Sequence, residues 1–222
     1  MFIAVTQQLD QRTSDIYEVD VDVQRILSTE PVRRDVAVGR GTPVPKEGGV
    51  YAWWFDELPG EVETSGCIQR DGLTLLYVGI SPKPPPKTGT LVSNQTLRSR
   101  ITTHYAGNAE GSTLRLSLGC LLAPTLGFEL RRFGSGTRMH FGEGERELSR
   151  WMHDHARVSW IADDAPWELE SRLFGKLVLP LNISGNANCR FAARMSEIRS
   201  DARTRARALP VLANPGVGGR YP

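Results

Sequence analysis

The chain has little cysteine and no long apolar segment, and both absences narrow what it can be. Its three cysteines, Cys67, Cys120 and Cys189, are widely separated and odd in number within 222 residues. This pattern excludes a disulfide framework and a Cys-x-x-Cys metal site, and it predicts small buried side chains in a reducing compartment. No apolar run approaches the ~20 residues that span a bilayer, and the first residues lack a signal-peptide pattern. We therefore expect a cytoplasmic protein without a membrane-spanning segment.

Acidic residues are scarce in the last quarter of the chain. Residues 171–222 contain nine Arg or Lys and two Asp or Glu, a net charge of +7, whereas residues 1–170 contain 18 and 23, a net charge of −5. A basic C-terminal part suits a polyanion such as nucleic acid. A solvated helix face without a partner has the same composition, so charge alone leaves both interpretations open.

The length predicts one catalytic-sized domain with extensions. Alternating polar and apolar residues from 15 to 23 indicate an edge strand or a loose arm, and a Pro/Gly-rich run over residues 39–49 indicates a loop. Apolar residues at helical spacing from Phe191 to Leu209 predict a basic helix. The predicted division is an N-terminal extension (1–47), a main domain (48–188), a basic helix (189–210) and a loose tail (211–222).

Two segments have the pattern of a buried strand, and each contains a tyrosine two residues from a glycine. The first runs from Val50 to Phe55 and contains Tyr51, and the second runs from Leu73 to Ser81 and contains Tyr77. Both are rich in aliphatic or aromatic residues, which favours strands joined as a hairpin with a long connection. Gly79 is expected to permit a close backbone approach or a bend rather than to contact a ligand. Two strands with matched tyrosines predict a site.

A Pro-rich stretch after the second strand breaks regular structure and places Lys83 and Lys87 in a loop at the mouth of the strands. The helix predicted next runs from Leu97 to Tyr105. On it Arg100 and His104 are four residues apart and therefore share one face. These two side chains could supply positive charge and a hydrogen-bonding group to the same site.

Two later elements complete the pattern. Residues 128–141 have the form of a β-hairpin with a Gly-rich turn, on which Arg131 and Arg138 would stand. Such a ribbon fits a duplex groove, and an exposed charged hairpin with no partner is an equally common alternative. The segment Trp167–Leu179 is amphipathic, which predicts a helix, and Glu170 lies near the polar edge of its leucine stripe.

This ordered set resembles the GIY-YIG nuclease superfamily. The matching features, in chain order, are Gly49-Val50-Tyr51, Tyr77-Val78-Gly79, the helix with Arg100 and His104, Glu170, and the turn with Asn182. The resemblance covers roughly residues 49–186. A single Gly-Val-Tyr carries almost no information, whereas the complete set is specific. The Pro-rich loop departs from compact members, and it implies an added loop that contacts DNA.

The resemblance implies a mixed α/β (α+β) fold with a small central three-stranded antiparallel sheet flanked by helices, to which the hairpin and the two extensions are added. It implies a DNA endonuclease that depends on Mg²⁺, with Mn²⁺ as the alternative metal. Hydrolysis of a phosphodiester requires an activated water and positive charge on the phosphate. Glu170 is the implied metal ligand, and the fork of donors on Arg100 suits the phosphate.

Either tyrosine could be the general base under this resemblance; Tyr51 is favoured, with Tyr77 orienting water or phosphate. His104 would assist by hydrogen bonding, and Asn182 would position the turn after the Glu170 helix. Further nucleic-acid contacts are expected from basic residues in loops and on the hairpin and helices: Lys83, Lys87, Arg98, Arg115, Arg131, Arg138, Arg190 and Arg194. The alternatives are a non-catalytic nucleic-acid-binding module on a nuclease scaffold, and a nuclease directed at RNA or at single strands.

Overall fold

A computed structural model describes residues 20–85, 93–186 and 189–214. Within these residues the chain forms seven helices and six strands, a mixed α/β arrangement as the sequence implied. In chain order they are α1 (Val21–Leu27), α2 (Arg34–Val38), β1 (Gly49–Phe55), β2 (Gln69–Arg70), β3 (Leu73–Ser81), α3 (Leu97–Ala106), α4 (Thr113–Leu126), β4 (Arg131–Phe133), β5 (Arg138–His140), α5 (Gly144–His155), β6 (Ala156–Ala162), α6 (Pro166–Phe174) and α7 (Phe191–Ala208).

Strand β1 lies inside an antiparallel sheet with the order β2-β3-β1-β6. The sheet has four strands rather than the three expected, because the two-residue strand β2 adds an edge. Asp71 and Gly72 connect β2 to β3, and both have positive φ, 50° and 75°. An Asp-Gly pair is the residue choice that such a tight hairpin turn requires. The sequence therefore contained the signal for the fourth strand.

The side chains of β1 alternate between two apolar layers, since successive strand residues point to opposite faces. All seven residues of β1 are buried. The layer that holds Tyr51 also contains residues of α2, α3, α4, α5 and α7. The opposite layer, which holds Val50 and Trp54, contains residues of α1 and α6. Tyr51 is therefore held from all sides beneath the larger group of helices.

A β-bulge brings the second tyrosine to the same side. The register between β1 and β3 skips Leu76, so that Trp53 lies opposite Tyr77. The extra residue reverses the alternation of faces along β3, and Tyr77 enters the layer that contains Tyr51. The carbonyl oxygen of Leu76 accepts a hydrogen bond from the amide of Leu181 at 3.0 Å. The bulge thus places both tyrosines on one face.

The predicted helices and hairpin are present, with different bounds, whereas the N-terminal strand prediction is wrong where it can be compared. Residues 21–23 begin α1, and residues 15–19 lie outside the described residues. The side chain of Asp20 accepts hydrogen bonds from the amides of Asp22 and Val23 at 3.0 and 3.1 Å. This cap favours a helix over the alternating strand. The three cysteines are free and buried, as expected.

A buried ion pair joins α4 to α5. Arg115 and Glu145 are both fully buried, and Nη2 of Arg115 lies 2.6 Å from Oε2 of Glu145. Arg115 also donates to the carbonyl oxygens of His104 and Tyr105 at 3.1 and 3.2 Å. The prediction that Arg115 contacts nucleic acid is wrong, because the core surrounds its side chain. None of the helices in the described ranges is both long enough and apolar enough to cross a membrane.

Glu145→Ala should destabilise the fold by about 3–5 kcal/mol, because it leaves the Arg115 charge buried without its partner. Glu147→Ala on the same helix removes an ion pair with Arg150. Both side chains of this pair are exposed, Arg150 by 67% and Glu147 by 46%, so the variant should lose at most about 1 kcal/mol of stability. Urea denaturation followed by circular dichroism measures both. Equal, small losses in the two variants would contradict this account.

Candidate functional site

The ring of Tyr51 lies against a glycine on the neighbouring strand. Tyr51 pairs with Gly79 in the β1–β3 register, and a Cβ atom at position 79 would lie 2.6 Å from the phenol oxygen of Tyr51. Any side chain at this position would push the ring away. Gly79 therefore provides the close approach that the sequence predicted, and it allows the Tyr51 hydroxyl to reach α3.

Two side chains of α3 meet the Tyr51 hydroxyl. His104 Nε2 lies 2.8 Å from the phenol oxygen, and Arg100 Nε donates to it at 3.4 Å. The four-residue separation of Arg100 and His104 predicted that both side chains lie on the same face of α3. Arg100 Nη1 also donates to the carbonyl oxygen of Gly111 at 2.8 Å, while its Nη2 has no hydrogen bond to a described residue. One edge of the guanidinium is thus left for an anion.

The ring of His104 links two buried hydroxyl groups. Burial, Arg100 and Arg115 lower the pKa of His104 well below its usual value, so the ring is neutral. Ser112 Oγ accepts from the amide of Arg115 at 3.0 Å and lies 2.7 Å from His104 Nδ1. A neutral imidazole donates through one nitrogen and accepts through the other. When the Ser112 hydroxyl donates to Nδ1, the ring hydrogen is on Nε2, and Nε2 donates to the oxygen of Tyr51.

Both tyrosines are neutral phenols in this environment. Burial raises the pKa of Tyr51, the neighbouring Tyr77 adds to the increase, and Arg100 opposes it. The two rings are stacked, with centroids 6.5 Å apart and planes at 21°. The hydroxyl of Tyr77 lies 3.3 Å from Thr113 Oγ1, and burial raises its pKa as well. Neither phenol ionises near neutral pH without additional positive charge beside it.

Glu170 is a half-buried carboxyl group on α6. Burial raises its pKa to about 7, and among the described residues it has no hydrogen-bond or ion-pair partner. Its helix contacts β1 and β3, the strands that carry the two phenols, and its charge raises the pKa of both Tyr51 and Tyr77. No group of three or more His, Cys, Asp or Glu that could hold a metal ion occurs in the described parts of the chain. A lone carboxylate without a partner fits Mg²⁺, which takes few carboxylates and keeps several waters.

Asn182 ties the turn after α6 to strand β3. Its Oδ1 accepts from the amide of Val78 at 2.9 Å, and its Nδ2 donates to the carbonyl oxygen of Val78 at 2.7 Å. Val78 stands between Tyr77 and Gly79, so this clamp fixes the strand at the site. The side chain is buried, and its oxygen and its nitrogen each bond to β3, so the turn after α6 is anchored to this strand.

The sequence matches the family model of the GIY-YIG catalytic domain over residues 49–203. The chain belongs to the GIY-YIG nuclease superfamily. The matched range contains all the site residues described above and extends into α7. Comparisons with curated proteins and with solved structures each gave no significant match. Membership of a nuclease family implies a nucleic-acid substrate, and GIY-YIG nucleases are typically metal-dependent.

Two residues of this GIY-YIG site were missed by sequence reasoning. Ser112 orients His104, and Thr113 contacts Tyr77. Hydroxyl residues at the start of a helix are typical of ordinary caps, and Ser112 does cap α4. A cap that also faces a buried histidine cannot be distinguished from an ordinary cap without the tertiary contact. The polar turn before α4 is therefore part of the site.

The basic residues predicted to contact nucleic acid fall into different environments in the GIY-YIG domain. Arg98 donates to the carbonyl oxygen of Val44 at 2.7 Å and is used inside the fold. Three others form ion pairs: Arg131 with Glu129, Arg138 with Glu110, and Arg194 with Glu197. Lys83 and Arg190 are exposed, and Lys87 lies outside the described residues. Arg190 and Lys83 are the predicted contacts that keep an exposed charge without a described partner.

Glu170→Gln should stabilise the metal-free protein, and the gain should depend on pH. The folded carboxyl has a pKa of about 7, against an ordinary 4.5. Between these values the unfolded chain loses the proton while the folded chain keeps it, so the wild type loses stability as the pH rises. The advantage of the Gln variant should grow from pH 5 to pH 7 and level off at about 1–3 kcal/mol.

Urea denaturation in a chelator, repeated between pH 5 and pH 8, measures this difference. Glu168→Gln is the matched control, since Glu168 lies on the same helix and is exposed. A pH-independent difference for the Glu170 variant, or an equal pH dependence for the control, would contradict the burial of the Glu170 charge.

Proposed function

We propose that this protein is a Mg²⁺-dependent endonuclease that hydrolyses phosphodiester bonds of DNA, with Mn²⁺ as an alternative metal. The observation that carries the proposal is the environment of the Tyr51 oxygen. This oxygen lies 2.8 Å from His104 Nε2 and 3.4 Å from Arg100 Nε, two groups that can both donate to it. A phenol held in this way is ready to exchange a proton with an incoming water.

Tyr51 is the general base of the proposed reaction. In the reactive form Tyr51 is a phenolate whose hydrogen has passed to solvent. The phenolate takes a proton from the attacking water as the water oxygen bonds to phosphorus, the phosphorus bond to the leaving oxygen breaks, and the leaving oxygen takes a proton from solvent. A phenolate at Tyr51 is stabilised by the two donors it already has, since hydrogen bonds to a charged acceptor are stronger than those between neutral groups. Ser112 keeps His104 in the tautomer that donates.

Arg100 and Glu170 have the complementary roles. The free edge of the Arg100 guanidinium binds the phosphate and stabilises the charge that develops on it. Glu170 is the residue that would hold the cation, because it is the acidic group near both phenols that lacks a described partner. A bound Mg²⁺ would supply positive charge beside the phosphate and the Tyr51 phenol. Tyr77, held by Thr113, orients the water or the phosphate, and Asn182 keeps its strand in place.

Glu170→Ala should abolish the cleavage of supercoiled plasmid while binding is largely kept, since the variant loses the cation ligand but keeps Arg100. Glu168→Ala on the same helix is the control and should cleave like the wild type. Gel electrophoresis measures nicking in Mg²⁺ or Mn²⁺, and fluorescence anisotropy in a chelator measures binding. Full activity of the Glu170 variant would remove the assignment of the metal ligand.

Tyr51→Phe should lower the cleavage rate by about 10²–10⁴-fold, the usual contribution of a general base. Tyr77→Phe loses one hydrogen bond to Thr113 and should cost about tenfold or less. Tyr105→Phe is the control for an equivalent change, because that hydroxyl donates only to the carbonyl oxygen of Ala156, at 3.2 Å. Single-turnover rates separate the three. A larger loss in the Tyr77 variant would transfer the role of base to Tyr77.

The same assay on duplex DNA, single-stranded DNA and RNA identifies the preferred substrate. Preferential cleavage of RNA or of single strands would replace the DNA assignment. Binding without cleavage in both metals would favour a binding module on a nuclease scaffold.

A further inference from the structure

The five arginines within α7 are not equivalent. Arg194 is exposed and pairs with Glu197 at 3.2 Å, and Arg205 and Arg207 are exposed. Arg199 and Arg203 are half-buried, and no described residue gives either of them a hydrogen bond or an ion pair. They are four residues apart and therefore share one face of the helix. This face carries two positive charges that the described part of the fold does not neutralise.

Arg199 is the less solvated member of this pair. Its Nε atom is buried and has no hydrogen-bond partner. Burial lowers the pKa of Arg199, and the positive charge of Arg203 lowers it further. A cation held away from water without a partner costs stability. An anion that enters between the two guanidinium groups would remove this cost.

Helix α7, which carries the pair, packs beside the proposed nuclease site. Tyr77 belongs to the same buried apolar cluster as Met195 and Ala202 of α7. Helix α7 also contacts α4, whose first residue, Thr113, contacts Tyr77. The charges of Arg199 and Arg100 both lower the pKa of Tyr77, in agreement with this placement.

The helix that carries the pair is held in a fixed position by the hairpin. Arg132 Nη2 donates to the carbonyl oxygens of Arg207 and Leu209, each at 2.9 Å, and Nε donates to that of Ala206 at 3.2 Å. These contacts satisfy carbonyl groups at the C-terminal end of α7. The hairpin that the sequence analysis considered as a DNA-binding ribbon thus positions α7.

We propose that Arg199 and Arg203 form a phosphate-binding subsite, which holds a backbone phosphate of the nucleic acid beside the scissile phosphate and next to Tyr77. Guanidinium groups bind phosphate with paired hydrogen bonds, and a backbone phosphate supplies the anion that this pair lacks. The proposal rests on the proposed nuclease function and adds a path for the strand, from Arg100 past Tyr77 to α7.

The test measures binding of a fluorescein-labelled 24-base-pair duplex, and of its single strand, by the full chain in a chelator at several salt concentrations. Affinity falls as the salt concentration rises, so a plot of log affinity against log salt has a negative slope. Removing one arginine that binds a phosphate should reduce the magnitude of this slope by about one and the affinity by about tenfold. For the Arg199→Met/Arg203→Met double variant, the magnitude of the salt slope should therefore be smaller by about two, measured on whichever of the duplex and the single strand the wild type binds more tightly. Arg150→Met on α5, which removes an exposed charge already paired with Glu147, should bind like the wild type.

Thermal unfolding without nucleic acid provides a second readout. Arg199→Met removes an unpaired, partly desolvated charge and should raise the midpoint by about 2–4 °C, whereas a purely structural arginine would lower it when removed. If the double variant does not fold, the two single variants provide the same test, and each should reduce the magnitude of the salt slope by about one.

Binding by the double variant equal to that of the Arg150 control, or a lower melting midpoint for Arg199→Met, would overturn the subsite. A wild-type protein that binds the probes while the double variant binds equally well contradicts only the subsite. A wild-type protein that neither binds nor cleaves any nucleic acid contradicts the proposed function itself. These outcomes separate the two proposals.

Discussion

The site depends on the hydrogen-bonding requirement of one buried hydroxyl group. Tyr51 is 1% exposed, and a polar group at this depth must find partners within the protein. His104 and Arg100 supply them from α3. A buried chain of hydrogen bonds continues from His104 to Ser112, and the Arg115–Glu145 pair fixes the backbone beside both. The first turn of α4 and the start of α5 are thus tied to the site by polar contacts as well as by apolar packing.

A second constraint comes from two charged side chains, Glu170 and Arg199, whose charges both affect the pKa of Tyr77. Glu170 and Arg199 are both partly buried, and neither has a described ion-pair partner. Burial disfavours the charged form of each, which raises the pKa of the acid and lowers that of the base. Stability would favour replacing both with apolar residues, whereas a nuclease needs a carboxylate for a cation and a guanidinium for a phosphate. Groups that reduce the stability of the free protein are typical of functional sites.

Much of this site could be predicted from the sequence, because local spacing decided it. The four-residue separation of Arg100 and His104 places them on one helix face in any fold. Glycine at position 79 indicated a close approach of backbone and ring. The fourth strand was missed although its Asp-Gly turn was visible, and residues 21–23 were interpreted as part of an edge strand or a loose arm although Asp20 is a good helix cap. In these cases local signals competed, and tertiary packing chose between them.

The sequence by itself determined the family, the main elements and the residues that can carry the chemistry, because these follow from short motifs and hydrophobic periodicity. Only the tertiary structure decided which charged side chains are neutralised within the fold and which can bind a ligand. Arg115 and Arg199 are both arginines in basic or polar stretches, yet one is neutralised within the core and the other has no described partner. The bulge at Leu76 turned Tyr77 towards Tyr51, and the turn before α4 brought Ser112 to His104. Both results depend on contacts between residues distant in sequence, which no local pattern encodes.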